Sequence, residues 1–257
     1  CAPYDCVSGG CLTDCNADGD CSGSNVCPIG RCCASGWFKT AAVASASDVG
    51  LYNRISLESD GDVRIAYLDE SADDLWYAYN GGSNYEDAWS TSLQESSVDE
   101  DILQFGFAVT GASGIRHWSY MRIHNLYYDV TSAAETLVAP GGEFEYSGRY
   151  SDVAVGPDGT LHLAYTYESA STNYLRYAYR TPAGAWTLCG NLNSSTTYAP
   201  AFPSIALDAT GLPHIAFWNG SSDAYYRTVT GCTFSSSYLV DSSSDSAGSS
   251  GLDIAVD

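Results

Sequence analysis

The sequence predicts an all-β protein, a β-propeller of four-stranded blades preceded by a small disulfide-rich module. Three observations lead to this fold class. An apolar strand, a glycine-containing turn and a second strand recur four times within the 257 residues, at a period near fifty. Aromatic runs follow each copy at the same period, and eight of the ten cysteines lie in the first 33 residues. A repeat of this length that is built only of strands is typical of propeller blades.

Each repeat begins with two strands joined by a tight turn, over residues 55–67, 107–120, 153–165 and 205–217. The turns carry Gly61, Gly114, Gly159 and Gly211. The first strand of each pair contains small or aliphatic residues, as expected where blades crowd a central axis.

The third strand of each unit is an aromatic run that contains Tyr77, Tyr128, Tyr177 or Tyr226, at intervals of 51, 49 and 49 residues. A fourth strand is marked more weakly, by Trp89, Leu137, Trp186 and Phe234. Every unit therefore supplies four antiparallel strands, which make one blade.

Both ends of the repeat region carry a strand without a blade. Residues 36–43 match a fourth strand, because Trp37 lies 52 residues before Trp89, and residues 251–257 match a first strand. We expect a disulfide-rich module over 1–35 and a propeller over 36–257, with four complete blades and one orphan strand at each end. Either the natural polypeptide continues past Asp257 or a neighbouring chain supplies the missing strands. In the second case the residues of strand exchange are Leu252, Ile254 and Val256.

Composition excludes several classes of partner. The chain has 31 acidic and 10 basic residues, a formal charge of −21 at pH 7. Such a surface repels phosphate backbones, so we expect no nucleic acid and no anionic membrane surface as partner. No apolar run approaches the roughly 18 residues needed for a membrane span, so we expect no membrane insertion.

The cysteines indicate an oxidising compartment. Eight of them crowd the first module: Cys1, Cys6, Cys11, Cys15, Cys21, Cys27, Cys32 and Cys33. Disulfides explain these spacings better than zinc, which needs two matching cysteine pairs, and the connectivity stays open. Cys189 and Cys232 hold comparable places in blades 3 and 4, which predicts a disulfide between adjacent blades, with two free buried thiols as the alternative. These features predict a secreted or cell-surface protein.

Calcium is the one cofactor that the sequence raises. Oxygen-bearing side chains alternate at Asp14, Asn16, Asp18 and Asp20, as at the start of an EF-hand loop. Asn25 stands where that loop has its glutamate, so solvated acidic turns between disulfides are the alternative.

Three histidines recur with the repeat. His117, His162 and His214 each lie three residues before the aromatic residue that ends the second strand, and Arg64 fills this place in the first blade. Equivalent positions in different blades are spread around a ring, so these imidazoles do not converge on one metal ion. We expect them to have a structural role, as a repeated hydrogen bond from blade to blade.

Two resemblances cover nearly the whole chain. The runs Cys1-Ala-Pro-Tyr-Asp-Cys6, Cys11-Leu-Thr-Asp-Cys15 and Cys27-Pro-Ile-Gly-Arg-Cys32 resemble cysteine-rich modules in secreted and surface proteins of myxobacteria. The repeats over 37–257, with Ile205-Ala-Leu-Asp208 before the turn and Pro213-His-Ile-Ala-Phe217 after it, resemble sialidase-like or BNR-like propellers of secreted bacterial proteins. The resemblance implies an extracellular module and supplies no substrate.

Three functions follow in order of expectation. Sialidase chemistry needs an arginine triad and a tyrosine–glutamate pair, whereas these arginines lie mostly within strands and the Asp-box is not matched, so we expect no catalytic residues. The leading hypothesis is a non-catalytic structural or adhesive surface protein that assembles with itself or with another surface protein. The alternative is a carbohydrate-binding propeller that uses residues such as Tyr85 and Trp218 as stacking platforms for glycan. A glycoside hydrolase ranks third.

Overall fold

The computed structural model describes residues 6–7, 10–11, 49–57, 62–80, 89–96, 98, 104–110, 115–131, 134–141, 145–170, 172–195, 200–219, 223–242 and 251–256. Strands and turns make up this part of the chain. The first two strands, β1 (Cys6–Val7) and β2 (Gly10–Cys11), form a short antiparallel pair. The described residues include no helix that could cross a lipid bilayer.

Four antiparallel sheets follow in chain order. Blade 1 contains β3 (Val49–Leu57), β4 (Val63–Asp69), β5 (Asp74–Asn80) and β6 (Ser90–Glu95). Blade 2 contains β7 (Gly106–Thr110), β8 (Ile115–Arg122), β9 (Asn125–Val130) and β10 (Thr136–Ala139). Blade 3 contains β11 (Tyr146–Val155), β12 (Leu161–Glu168), β13 (Asn173–Arg180) and β14 (Thr187–Ser195). Blade 4 contains β15 (Ala201–Leu207), β16 (Pro213–Trp218), β17 (Ala224–Thr230), β18 (Thr233–Phe234) and β19 (Tyr238–Asp241).

The predicted propeller of four-stranded blades is confirmed. Each sheet is an antiparallel meander in sequence order, and the fourth strand of blade 4 is divided into β18 and β19, which both pair with β17. The first strands of neighbouring blades contact each other, so they are the innermost strands around the axis. Gly159 and Gly211 have φ of +80° and +83° in the turns between first and second strands, a conformation that favours glycine.

The core lies between blades. One buried cluster joins blades 1 and 2, a second joins blades 2 and 3, and a third joins blades 3 and 4. The repeat tyrosine contributes to each cluster and packs against an aromatic residue of the next blade. These pairs are Tyr77 with Trp118, Tyr128 with Trp186 and Tyr177 with Phe234. The tyrosine period that marks the repeat in the sequence is therefore the period of inter-blade packing.

One position of the innermost strand meets the following blade in blades 2 and 3. Asp152 Oδ2 in blade 3 accepts a hydrogen bond from the backbone N–H of Ile205 in blade 4, at 3.0 Å. In blade 2 the same position is Gly106, where an added Cβ would lie 2.6 Å from the backbone nitrogen of Val153. Blade 2 therefore needs a glycine here, because the next strand passes too close for any side chain.

The last described segment, 251–256, continues this series. It forms no strand ladder with described residues, although the sequence predicts a first strand there. Ser204 Oγ nevertheless accepts a hydrogen bond from the N–H of Ile254 at 3.2 Å, at the position where Asp152 binds Ile205. The segment thus lies against blade 4 as blade 4 lies against blade 3. The predicted strand over 36–43 lies outside the described residues.

The ring of described residues is open beside blade 1. Ile55 on β3 is 72% exposed, whereas the equivalent residues Phe107, Val153 and Ile205 are 6%, 3% and 7% exposed. Leu57, two residues further on the same face, is also exposed. In blades 2, 3 and 4 the preceding blade covers this face. No described residue covers the corresponding face of blade 1.

Candidate functional site

Each of blades 2, 3 and 4 holds a histidine of its second strand against a tyrosine of its third strand. The Nδ1 to Oη distances are 2.7 Å for His117 and Tyr128, 2.6 Å for His162 and Tyr177, and 2.6 Å for His214 and Tyr226. The bond joins two strands of one blade, whereas we expected a bond from blade to blade. Strand register is the reason: His162 lies opposite Tyr179, and Tyr177 is its diagonal neighbour on the same face.

The buried imidazoles of His117 and His162 are neutral at pH 7. Burial lowers the pKa of His162 below its usual value. Burial, together with the guanidinium of Arg180, lowers the pKa of His117 to about 4. The Nδ1 atoms of these two histidines can then accept the hydrogen bond of their tyrosine O–H groups.

Guanidinium groups cover the repeat tyrosine at the first two interfaces between blades. At the interface of blades 1 and 2, Arg116 lies 4.2 Å above the Tyr77 ring. At the interface of blades 2 and 3, Arg180 lies 4.7 Å above the Tyr128 ring and 5.2 Å from the ring of Trp186. These stacks fill the space at the edge of both interfaces.

The interface of blades 3 and 4 lacks this filling. Val229 follows Tyr226 by three residues, as Arg180 follows Tyr177, so it occupies the position of Arg180 in the next blade. No arginine in the described part of the chain stacks on Tyr177. The short side chain of Val229 leaves a cavity of about 360 Å³ between the two blades.

We name this cavity the threonine pocket, because four threonines contribute to its lining. Its lining residues are Thr160, His162, Tyr177, Tyr179, Thr181, Thr210, Gly211, Leu212, Pro213, Val229, Thr230 and Gly231. None of these residues is an aspartate, glutamate, lysine or arginine. The pocket thus combines hydroxyl groups, aromatic rings and aliphatic surface without a formal charge, a composition suited to an uncharged polar ligand.

Two of the threonines are held by aspartates in the turns behind the pocket. Thr160 Oγ1 donates to Asp158 Oδ2 at 2.8 Å, and Thr210 Oγ1 donates to Asp208 Oδ1 at 2.6 Å. Hydrogen bonds from the Thr210 hydroxyl and the Leu212 N–H hold the pKa of Asp208 at about 2. Because each hydroxyl donates its hydrogen bond to a carboxylate, the hydroxyl oxygen is available to accept a hydrogen bond from a ligand.

A disulfide lies at the rim of the pocket. Cys189 on β14 of blade 3 is joined to Cys232 in the turn after β17 of blade 4, with Cα atoms 4.9 Å apart. Thr230 and Gly231 of the pocket wall directly precede Cys232. This bond connects the two blades whose separation defines the pocket.

The other residues singled out from sequence have different positions. The calcium candidates Asp14, Asn16, Asp18 and Asp20, the platform residue Tyr85, and the first-module cysteines apart from Cys6 and Cys11 lie outside the described residues. Cys6 and Cys11 are register partners on β1 and β2. Within the described part of the chain, no three His, Cys, Asp or Glu side chains are grouped to hold a metal ion.

Two further groups of candidates lie on or against blade 4. Trp218 is half-buried, and its indole nitrogen is enclosed. Leu252, Ile254 and Val256 are half-buried, and the residues between them are exposed. Sequence reasoning missed the threonine pocket, because the position of Val229 carries a different residue in each blade and shows no repeat pattern.

Comparison with known proteins identifies the fold. No protein-family model matches the chain, and no curated protein sequence matches it. The lectin of Aleuria aurantia, solved in complex with Fucα1-6GlcNAc, is similar in structure with a TM-score of 0.50 at 16% identity, over 77% of this chain and 65% of that chain. AofleA from Arthrobotrys oligospora aligns with a TM-score of 0.53 at 12% identity, over 80% of this chain and 62% of that chain.

The chain therefore spans less than two thirds of the length of both structures. A third structure, fructan 1-exohydrolase IIa from Cichorium intybus, aligns with a TM-score of 0.41 at 11% identity, over 73% of this chain and 43% of that chain, which is too weak to support an argument. The two stronger similarities show that this chain shares its fold with both of these proteins.

Proposed function

We propose that the chain is a carbohydrate-binding propeller that binds an uncharged saccharide in the threonine pocket without cleaving it. The observation that carries this proposal is the exchange of Arg180 for Val229 at the interface of blades 3 and 4, which leaves an uncharged, hydroxyl-lined cavity. The similarity to the Aleuria aurantia lectin supports the choice of ligand class. This reading favours the carbohydrate-binding alternative over the structural or adhesive function.

The chemistry of the pocket favours a neutral sugar. Sugar rings present donor hydroxyls and an apolar face, which match the acceptor oxygens of Thr160 and Thr210 and the rings of Tyr177 and Tyr179. Anionic sugars are disfavoured because the pocket lacks a cationic residue and the whole chain carries a charge of −21.

Substituting Val229→Arg tests the proposal, because it places in the pocket the guanidinium group that Arg180 supplies at the interface of blades 2 and 3. Binding of methyl glycosides of glucose, galactose, mannose and fucose, and of Fucα1-6GlcNAc, is measured by isothermal titration. We expect the wild type to bind at least one probe and V229R to lose about tenfold or more in affinity, equivalent to about 1.4 kcal/mol.

Val240→Arg is the matched control, because it adds the same side chain on β19 at an exposed site. A V240R variant should bind as the wild type does. Thr181→Val, which removes one hydroxyl at an exposed edge of the pocket, provides a milder second change. The proposal fails if the wild type binds none of the probes, or if V229R and V240R bind equally well.

Self-assembly is a second candidate function, favoured by the open side of the ring. The exposed face of Ile55 and Leu57 lies on an innermost strand, where the other blades are covered. A second copy that covers this face would form a homo-oligomer. Light scattering of the wild type and of Ile55→Asp checks this candidate, which requires an oligomer that dissociates in the variant.

A further inference from the structure

A second cavity lies at the same interface of blades 3 and 4, away from the threonine pocket. It has a volume of about 290 Å³ and is lined by Asn193, Phe217, Asn219, Tyr225 and Ser237. We name it the asparagine cavity. The threonine pocket borders the turns that join first to second strands, whereas Asn219 lies in the turn that joins the second strand to the third. The two cavities therefore belong to opposite ends of the blades.

The corresponding place at the interface of blades 1 and 2 is filled by ionic side chains, which we name the glutamate–arginine clamp. Arg122 Nη1 of blade 2 lies 3.1 Å from Glu95 Oε1 of blade 1, and Arg122 Nη2 is paired with Glu135. The hydroxyl of Tyr120 donates to Glu135 Oε2 at 2.9 Å, and Arg122 lies 5.0 Å above the ring of Tyr127.

Strand register relates the clamp to the cavity residue by residue. Glu95 lies opposite Leu75, and Asn193 lies opposite Leu175. Both leucines stand two residues before the repeat tyrosine of their blade. Glu135 and Ser237 each precede the residue that pairs with the repeat tyrosine of their blade.

The second and third strands complete the correspondence. Arg122 and Asn219 each follow the repeat histidine by five residues. Tyr120 and Tyr127 stack at 6.3 Å between ring centroids, as Phe217 and Tyr225 do at 6.0 Å in blade 4. All five residues that line the cavity are thus equivalents of the five residues of the clamp.

The three charged members of the clamp are replaced together, because Glu95, Arg122 and Glu135 correspond to Asn193, Asn219 and Ser237. Each replacement is shorter and uncharged, and the aromatic wall is retained. This set of changes removes the ion network and leaves an empty space that keeps hydrogen-bonding groups. A loss of only one charge would have left its partners unpaired, which is costly, so the joint replacement yields a cavity without a stranded ion.

The remaining polar groups can serve a ligand. Asn219 exchanges weak hydrogen bonds of 3.4 Å with Asp223, which fix the orientation of its amide. Ser237 Oγ accepts the Nε–H of Arg227 at 2.6 Å, so the hydroxyl proton of Ser237 is free to donate. The Asn193 amide supplies a donor and an acceptor.

We propose that the asparagine cavity is a second saccharide-binding site, so that one chain binds two uncharged sugars at opposite ends of the interface of blades 3 and 4. The choice of saccharide as ligand class rests on the proposed carbohydrate-binding function. Amide donors and acceptors beside a tyrosine ring match the hydroxyls and the apolar face of a neutral sugar. A chain with two such sites can cross-link glycans without forming an oligomer.

The first experiment isolates the second site by working with V229R, in which the threonine pocket is closed. The protein is produced without N-glycosylation, because Asn193 and Asn219 each begin an Asn-X-Ser sequon. The same methyl glycosides and Fucα1-6GlcNAc are titrated while the side-chain amide signals of both asparagines are followed by ¹⁵N NMR. We expect residual saccharide binding with shifts of both signals, and a stoichiometry that falls from two in the wild type to one in V229R.

The second experiment restores the clamp with the triple substitution Asn193→Glu, Asn219→Arg and Ser237→Glu. This variant should keep binding in the threonine pocket and lose the second site, so its stoichiometry is also one. Ser236→Glu is the control, because it adds a charge at an exposed neighbour that does not line the cavity. If the triple variant does not fold, the NMR titration of V229R still decides.

The outcomes separate the two proposals. A wild type that binds one sugar, together with a V229R variant that binds none and shows no amide shifts, overturns the second site and leaves the threonine pocket in place. A V229R variant that binds as the wild type does, together with a folded triple variant that binds nothing, overturns the threonine pocket and supports the asparagine cavity. Absence of binding in the wild type overturns both.

Discussion

Asp152 of blade 3 and Ile205 of blade 4 are joined by a hydrogen bond from the backbone N–H to the carboxylate, at 3.0 Å. The carboxylate lies close to the axis and is almost completely buried. Burial raises the pKa of Asp152 to about 6, although the positive charge of Arg54 acts in the opposite direction. The attachment between these blades therefore depends on a carboxyl group that titrates within the physiological range.

Asp152→Asn should change the pH dependence of stability. The pKa of Asp152 is about 6 in the folded protein and 3.8 in the unfolded chain. The contribution of Asp152 to the free energy of unfolding is therefore fully present below about pH 4, and it is lost as the pH rises through 6. The difference in free energy of unfolding between D152N and the wild type should therefore shift in favour of D152N by up to about 3 kcal/mol between pH 4 and 7. Urea unfolding at four pH values measures this difference. Glu70→Gln, on an exposed turn, serves as the control, and a pH-independent difference for D152N contradicts the prediction.

Ile55→Ala and Ile205→Ala form a matched pair at equivalent positions of blades 1 and 4. Ile205 is 7% exposed, so its truncation should lower the free energy of unfolding by about 2 to 4 kcal/mol. Ile55 is 72% exposed, and its truncation should cost less than about 0.5 kcal/mol. Chemical denaturation of both variants at low protein concentration checks the pair. Equal losses would mean that another polypeptide segment or a second copy covers Ile55.

Removing the disulfide should affect stability and ligand binding together. Cys189 and Cys232 are 43 residues apart in sequence, and loop closure of this size contributes up to about 4 kcal/mol in the chain-entropy description. The double variant Cys189→Ser, Cys232→Ser should melt at a lower temperature and bind the saccharide of the threonine pocket more weakly, because the two walls are no longer joined. Calorimetry and titration measure the two effects. Unchanged affinity at a temperature where the variant is folded would show that the bond supports the fold alone.

Arg180→Val should create a new pocket at the interface of blades 2 and 3. Arg180 covers Tyr128, whose partner His117 repeats the geometry of His162 and Tyr177 in the threonine pocket. Removing the guanidinium should uncover this pair and add one saccharide site, which raises the stoichiometry measured by titration by one. Arg64→Val, in blade 1, is the control for the loss of one positive charge. A stoichiometry that stays the same in R180V shows that an open interface is not enough for binding.

The repeat was predictable from sequence because the residues that recur are aromatic residues that pack between blades. The tyrosine spacing of 51, 49 and 49 residues reflects one aromatic contact per interface, so the four complete blades of this chain and their strand order could be predicted. The hydrogen-bond partner of each repeat histidine could not be predicted, because strand register decides whether the bond forms within a blade or between blades. His162 lies opposite Tyr179, and only the diagonal contact brings it to Tyr177.

The two cavities were not predictable from a repeat pattern because their distinguishing residues lie at positions that vary between blades. Val229 is unremarkable in sequence and becomes informative only when it is placed at the position of Arg180. The same holds for Asn193 and Asn219, which gain significance from their register equivalence to Glu95 and Arg122. A pattern search favours what the blades share, whereas both cavities are lined by residues that differ between blades.

The hydrogen bonds by which Asp152 and Ser204 hold the segment that follows involve none of the residues that line the two cavities. Side chains that line the space between two blades can therefore be exchanged while the bonds closest to the axis stay in place.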